Sequence, residues 1–139
     1  DNLYCCVTKK NPFKKNTFFS LSKRMKKSKQ LTVKIKKIKI RYFENKIKSN
    51  NTINLIKYLQ RENKKEKFFL IIGSDNLINF HKWKDWKLLT SLIQIVVFSR
   101  KDYDLKAKKS AITKKVKNII FIKNKHINIS STQIRKKLK

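Results

Sequence analysis

Ser130, Ser131 and Thr132 stand directly before a short helical pattern, QIRKKL, that carries Arg135 one turn further on. Hydroxyl side chains at such a place accept hydrogen bonds from the unpaired N–H groups of a helix's first turn. The same N–H groups, joined by hydroxyls and a guanidinium, make an anion cradle, so the stretch reads both as a cap and as a phosphate site. Two other positions have comparable potential. Asp75 follows the run FFLIIG, whose Gly73 lets the backbone approach a ligand closely, although an Asp there is also good capping chemistry for the next helix. Arg100 follows the run IVVFS. Each of the three alone has a bland explanation, a cap or a solvated charge. An acid, a base and a hydroxyl cluster behind three successive apolar runs together favour a nucleotide site. Trp83 and Trp86 lie three apart near Phe80, and an indole beside such a crevice can pack in the core or stack on a flat heterocycle. His81 and His126 are isolated from other ligands at metal spacing, so zinc has no support, and neither a Ser-His-acid order nor a P-loop is present.

The elements that must position these groups follow from apolar periodicity. Leu3 to Val7 predicts a short strand that ends near Asn11-Pro12, a turn signal. Ser20 caps a basic helix, LSKRMKKSKQL, with Leu21, Met25 and Leu31 on one face. VKIKKIKIRY alternates at period two, slips at Lys36-Lys37, and predicts a strand ending at Tyr42. TINLIKYLQREN is an amphipathic helix on Ile53, Leu55, Ile56 and Leu59. FFLIIG is a continuous apolar run, as in a strand covered on both faces of a parallel sheet. The following segment is helical with a break near His81. Ile95 to Ser99 and Asn118 to Ile122 are further strands, separated by a basic stretch that holds a loop and a short helix. Strands alternating with helices predict a parallel, doubly wound α/β sheet, in which ligands bind beyond the carboxyl ends of the strands.

The chain has 139 residues, 40% hydrophobic, which suits one domain with a core. Its net charge of +30 suggests a polyanionic partner. The lysines, however, alternate with Ile, Leu and Phe along the whole chain instead of forming a block. Together with abundant Asn and scarce Gly and Pro, this reads as the compositional drift of an AT-rich genome. Nucleic acid is therefore not the expected partner, and no apolar run reaches the length of a membrane span. Cys5 and Cys6 are adjacent, so in a strand they point to opposite faces; neither a mutual disulfide nor a metal pair is expected, which suits a reducing, cytoplasmic setting.

Three segments, FFLIIGSDNLINFHKWKDWKLL, IVVFSRKDY and ISSTQIRKKL, together resemble the bacterial nicotinate-nucleotide adenylyltransferase family of the nucleotidyltransferase superfamily. VTKKNPFKK is similar to the loop after the family's second strand, SLSKRMKKSKQL to its second helix, and NNTINLIKYLQ to its T-I-D-T-L segment, so the resemblance spans essentially the whole chain. The I-S-S-T-x-I-R motif is shared with other adenylyltransferases, including the phosphopantetheine enzymes; G-S-D-N-L-x-x-F-x-x-W is the more specific element. The resemblance implies a Rossmann-like fold and transfer of adenylyl from ATP to nicotinate mononucleotide with Mg²⁺, giving deamido-NAD and pyrophosphate. It implies ATP contacts for Ser130, Ser131, Thr132, Arg135 and Arg100. It implies mononucleotide contacts for Trp83, Thr52 and Asp75, and for Lys14 on the phosphate-facing loop.

Departures from the family pattern are equally specific. RPGY reads RKDY over Arg100 to Tyr103, and T-I-D-T-L reads TINLI, with Asn54 for the Asp. The family's first strand and its G-x-F-x-P-x-H-x-G-H motif have no counterpart. The expectation is a sheet lacking its first strand and first helix, a single partial domain that retains no catalytic histidine and is inactive alone. In the expected order 3-2-1-4-5 the absent strand is central, so Leu3–Val7 and Phe68–Ile72 either flank a gap or pair directly. Their side chains at Leu3, Val7, Leu70 and Ile72 are then expected to be poorly covered. A basic nucleic-acid-binding module is the alternative from another class, and the phosphopantetheine type the alternative within the superfamily.

Overall fold

The structure, a computed structural model, describes residues 1–10, 17–125 and 133–134. The chain packs as two compact units, Asp1–Glu62 and Asn63–Lys139.

In the first unit, β1 (Leu3–Cys6) pairs in parallel with β2 (Ile38–Arg41), Leu3 opposite Ile38 and Cys6 opposite Arg41. The crossover between them is α1 (Leu21–Thr32), whose cap is Ser20, accepting from the Lys23 N–H at 3.3 Å. β2 is shorter than the alternation in VKIKKIKIRY predicts. Two successive turns, Ile35 N–H to Thr32 O and Ile38 N–H to Ile35 O, take up the residues through the Lys36-Lys37 slip. Leu31, expected on the apolar face of α1, is 83% exposed. α2 (Glu44–Ile47) and α3 (Thr52–Glu62) follow. α3 buries Ile53, Ile56 and Leu59, as its 3.6-residue pattern requires, and Ile40 of β2 is buried too.

The loop after β1 is pinned at its base. Arg24 of α1 donates from Nη1 to the Thr8 carbonyl at 2.6 Å, from Nη2 to Lys9 at 2.7 Å, and from Nε to Phe19 at 3.2 Å. One guanidinium fork thus ties the entry and the exit of the segment that contains Lys14. Both Glu44 carboxylate oxygens accept from the Lys9 N–H, each at 3.1 Å. Lys14 itself lies outside the described residues.

Cys5 and Cys6 are free thiols, the first exposed and the second half-buried. Burial, and after it the charge of Cys5, pushes the Cys6 thiol from its ordinary 9.0 up to about 11. A thiol that holds its proton more tightly when folded contributes stability that is intact below pH 9 and lost as pH rises through 11. Two results are expected. Iodoacetamide at pH 8 labels Cys5 before Cys6, read by peptide mass spectrometry. The urea midpoint falls between pH 9 and 11 more steeply for the unsubstituted protein than for Cys6→Ala.

In the second unit, β3 (Phe69–Gly73), β4 (Gln94–Phe98) and β5 (Ile119–Ile122) form a parallel sheet in that order. β4 is central and buries Ile95, Val96 and Val97. The helical segment after β3 breaks near His81 as expected, into α4 (Ser74–Ile78), a 3-10 turn (Phe80–Lys82) and α5 (Trp86–Leu92). The basic stretch after β4 holds two short helices, α6 (Asp104–Lys108) and α7 (Ala111–Lys115). α4 packs on both. Leu77, Phe80, Leu89, Ala107 and Ile112 are fully buried among these elements.

All described strand pairs are parallel, in an α/β arrangement. β1 and β3 belong to separate sheets, one in each unit. FFLIIG is not covered on both faces: Phe69 and Ile71 are each 46% exposed, whereas Ile72 is buried. The run is apolar throughout, yet its burial alternates along the strand. Leu3 is exposed and Val7 and Leu70 half-buried, as expected; buried Ile72 departs from that expectation.

Candidate functional site

Register brings the candidate residues of the second unit together. Gly73 stands opposite Phe98, and Phe98 opposite Ile122, so the residues after β3 and β4 emerge side by side at the carboxyl edge of the sheet. The last ladder bond runs from the Ser99 N–H to the Ile122 carbonyl. Beyond it the Arg100 N–H turns to side chains, donating to Ser74 Oγ at 3.0 Å and to Asp104 Oδ1 at 2.9 Å. The Ser99 hydroxyl donates to the other carboxylate oxygen of Asp104.

Asp75 and Arg100 meet: Arg100 Nε lies 3.3 Å from Asp75 Oδ1. Asp75 is in the first turn of α4, where a carboxylate suits the helix dipole, but its side chain faces the arginine. Their meeting explains Gly73. Its φ of −87° and ψ of 158° are open to any residue, so conformational freedom is not what is needed there. Space is: a Cβ would stand 2.5 Å from Asp75 Oδ1 and 2.7 Å from Arg100 Nε. The arginine side chain is 60% exposed, so its charge is screened by solvent and remains accessible to an anion.

The change from RPGY to RKDY leaves a closed turn, with the Tyr103 N–H donating to the Arg100 carbonyl at 3.1 Å. Asp102 supplies the left-handed residue at φ 69°. Asp tolerates that region better than most residues but less well than Gly. Asp102→Gly is therefore expected to raise stability by about 0.5 kcal/mol, part of the relieved strain being offset by the freer unfolded chain. Urea denaturation checks this, and a loss of stability of similar size would contradict it.

Trp83 follows the 3-10 turn in extended conformation and stacks on Phe80, centroids 4.7 Å apart at 24°. The break at residues 83–85 separates it from Trp86, so the two indoles do not share a helix face despite their spacing of three. One face of the Trp83 ring is used by Phe80, and the residue is half-buried. Thr52 opens α3 in the first unit, half-buried. Ser130, Ser131, Thr132 and Arg135, like Lys14, lie outside the described residues.

Sequence reasoning missed Ser74, Ser99 and Asp104. Their one signal is position, since each polar side chain directly follows a strand or opens the next helix. Among the described residues no group of three His, Cys, Asp or Glu side chains gathers as a metal cage. Nor is any helix among them long and apolar enough to cross a membrane.

Residues 1–137 match the family described as Cytidylyltransferase-like. A "Probable nicotinate-nucleotide adenylyltransferase" of Pelagibacter ubique is 44% identical over 137 residues, covering 97% of this chain and 76% of that protein. A protein of the same description from Fusobacterium nucleatum is 37% identical over 118 residues, 84% of this chain and 61% of its own length. The chain thus spans between about three fifths and three quarters of these relatives. Among solved structures, Plasmodium falciparum nicotinic acid mononucleotide adenylyltransferase complexed with NaAD superposes with a TM-score of 0.72 at 17% identity, over 97% of this chain and 68% of that one. At that identity the likeness speaks for the fold.

Proposed function

The chain belongs to the nicotinate-nucleotide adenylyltransferases within the cytidylyltransferase-like family, and from that premise we propose that it serves adenylyl transfer from ATP to nicotinate mononucleotide. The observation that carries the reading is the 44% identity over 97% of the chain. A phosphate oxygen of the mononucleotide bonds to the α-phosphorus of ATP. The bond from that phosphorus to the bridging oxygen breaks, and pyrophosphate leaves with the electron pair. The products are deamido-NAD and pyrophosphate.

Such a displacement needs no protein nucleophile; it needs the two phosphates in line and their charge balanced. Arg100 meets these needs with a guanidinium whose base is fixed by the sheet edge and whose tip is open to solvent. We place it with Ser130, Ser131, Thr132 and Arg135 on the ATP phosphates. Trp83, through the ring face that Phe80 leaves, Thr52, Asp75 and Lys14 take the mononucleotide. Enzymes of this kind work with a divalent metal, and here we propose Mg²⁺ brought in by ATP. Asp75 is engaged by Arg100, and Mg²⁺ characteristically relies on substrate phosphates and water with one or two carboxylates at most. A cytoplasmic setting accords with two adjacent free thiols.

The test is pyrophosphate release by the full-length gene product with ATP and, in parallel, nicotinate mononucleotide, nicotinamide mononucleotide and phosphopantetheine. Preference for the first supports the proposal, preference for phosphopantetheine moves the protein to the sister enzymes, and turnover with none removes the reading. In that last case RNA binding that weakens steeply with salt would favour the nucleic-acid module.

A further inference from the structure

We propose that Asp104 is a positioning residue for Arg100 in nucleotide binding, acting together with the buried hydroxyl of Ser74. The inference rests on the reading above that Arg100 meets the phosphates of ATP. The Arg100 N–H lies just past the end of the β4–β5 ladder and would have no strand partner. It donates instead to two acceptors, Ser74 Oγ at 3.0 Å and Asp104 Oδ1 at 2.9 Å. Ser74 is fully buried. The second oxygen of the Asp104 carboxylate takes the Ser99 hydroxyl, so one side chain fastens two consecutive residues of the strand end.

Asp104 is itself held firmly. It opens α6, whose Ala107 is fully buried and whose first turn is closed by the Ala107 N–H on the Tyr103 carbonyl at 2.8 Å. The turn between contains Asp102 at φ 69°, and a left-handed non-glycine residue persists only where its surroundings over-determine it. The Asp104 carboxylate and the Ser74 hydroxyl supply that constraint together, both through the Arg100 N–H. The result is an arm with a rigid base and a free tip: the Arg100 side chain is 60% exposed and is aimed over Gly73 toward Asp75. Removing Asp104 leaves the N–H one acceptor and lets the turn relax. The arm's direction then changes, although no group that touches substrate has been altered. Misplacement of a binding group by as little as about 1 Å is enough to be felt in the kinetics.

The test measures pyrophosphate release by the full-length gene product, with ATP varied at saturating nicotinate mononucleotide. Asp104→Ala is expected to raise KM for ATP by about tenfold with kcat within about twofold, the pattern of lost binding. Asp104→Asn should stay within about twofold of the parent on both constants, because its amide oxygen accepts from the Arg100 N–H and its NH₂ donates to Ser99 Oγ. In the Arg100→Ala background, Asp104→Ala should add nothing to KM, because a residue acting through another is not additive with it. A merely structural Asp104 would lower the melting temperature and the active fraction while leaving KM alone. An unchanged KM in Asp104→Ala, beside an impaired Arg100→Ala, overturns this inference alone. The same holds if the full tenfold effect persists without Arg100. An Arg100→Ala protein with parental KM overturns the phosphate role of Arg100 and this inference with it. Should Asp104→Ala fail to fold, Ser74→Ala removes the other acceptor of the same N–H; it is expected to raise KM about threefold, and parental kinetics would count against the proposal.

Discussion

Phe80→Ala is expected to destabilise the protein by about 3–5 kcal/mol, the cost of removing a large aromatic ring from a filled core. Phe80 is fully buried, as are Leu77, Leu89 and Ile112, and its ring lies against Trp83 at 4.7 Å. A single domain's whole stability is about 5–15 kcal/mol, so the loss would leave the second unit partly unfolded at 37 °C. Urea denaturation followed by tryptophan fluorescence reads it, since Trp83 reports on the cavity directly. Phe80→Leu keeps much of the volume and should cost less than half as much. The substitution has a functional consequence too. With no ring beneath it, the Trp83 indole loses the surface that sets its plane, and affinity for the mononucleotide should fall even at temperatures where the unit is folded. A loss below about 1 kcal/mol for Phe80→Ala would show that this ring is not the centre of the core.

How far the sequence alone carried the fold is seen in the strands. IQIVVFS reads as a buried strand, and Ile95, Val96 and Val97 are buried; its central place in the three-stranded sheet was not legible. FFLIIG has the same appearance, yet Phe69 and Ile71 are exposed. Composition gives a strand's capacity for burial, whereas the number of layers that cover it is decided by other parts of the fold. Val33 to Tyr42 made a similar point about length. Alternation predicts a long strand, but two consecutive lysines break the period, and the backbone spends them and the residues before them in turns. α3 was the easiest element, because its stripe of Ile53, Ile56 and Leu59 repeats without interruption.

The site was legible in a different way. Asp75 and Arg100 could be named because each is a charged residue directly after an apolar run, and parallel sheets gather such positions at one edge. Their ion pair could not be read, since it depends on Gly73 standing opposite Phe98, a register that no local spacing encodes. Ser74 escaped for the same reason, since it serves a backbone N–H 26 positions away. Asp104 lies only four residues after Arg100, but its type and place alone do not say that it turns back onto that N–H. Residues that touch a ligand tend to announce themselves by type, whereas those that hold them in place are ordinary serines and aspartates whose meaning comes from tertiary neighbours.

Gly73→Ala is expected to leave the fold standing while weakening nucleotide binding by between about ten- and a hundredfold, the range open to a misplaced binding group. The backbone at Gly73, φ −87° and ψ 158°, accepts an alanine without strain, and restricting the unfolded chain contributes about 0.4–1 kcal/mol in favour of the folded state. Against this stands the new methyl, 2.5 Å from Asp75 Oδ1, 2.7 Å from Arg100 Nε and 3.2 Å from Arg100 Cδ. All three are side-chain atoms, so the clash is relieved by swinging the pair apart and not by moving the sheet. An ion pair as exposed as this one is worth only about 0–1 kcal/mol, so its loss roughly cancels the entropic gain. Stability and function therefore separate. The melting temperature should stay within a few degrees of the parent, while KM for ATP rises because the guanidinium no longer lies where the Ser74 and Asp104 anchors aim it. A fall in stability beyond about 2 kcal/mol would mean that the backbone itself cannot accept the methyl. Parental stability together with parental KM would mean that Arg100 binds its anion from a position other than the one it occupies over Gly73.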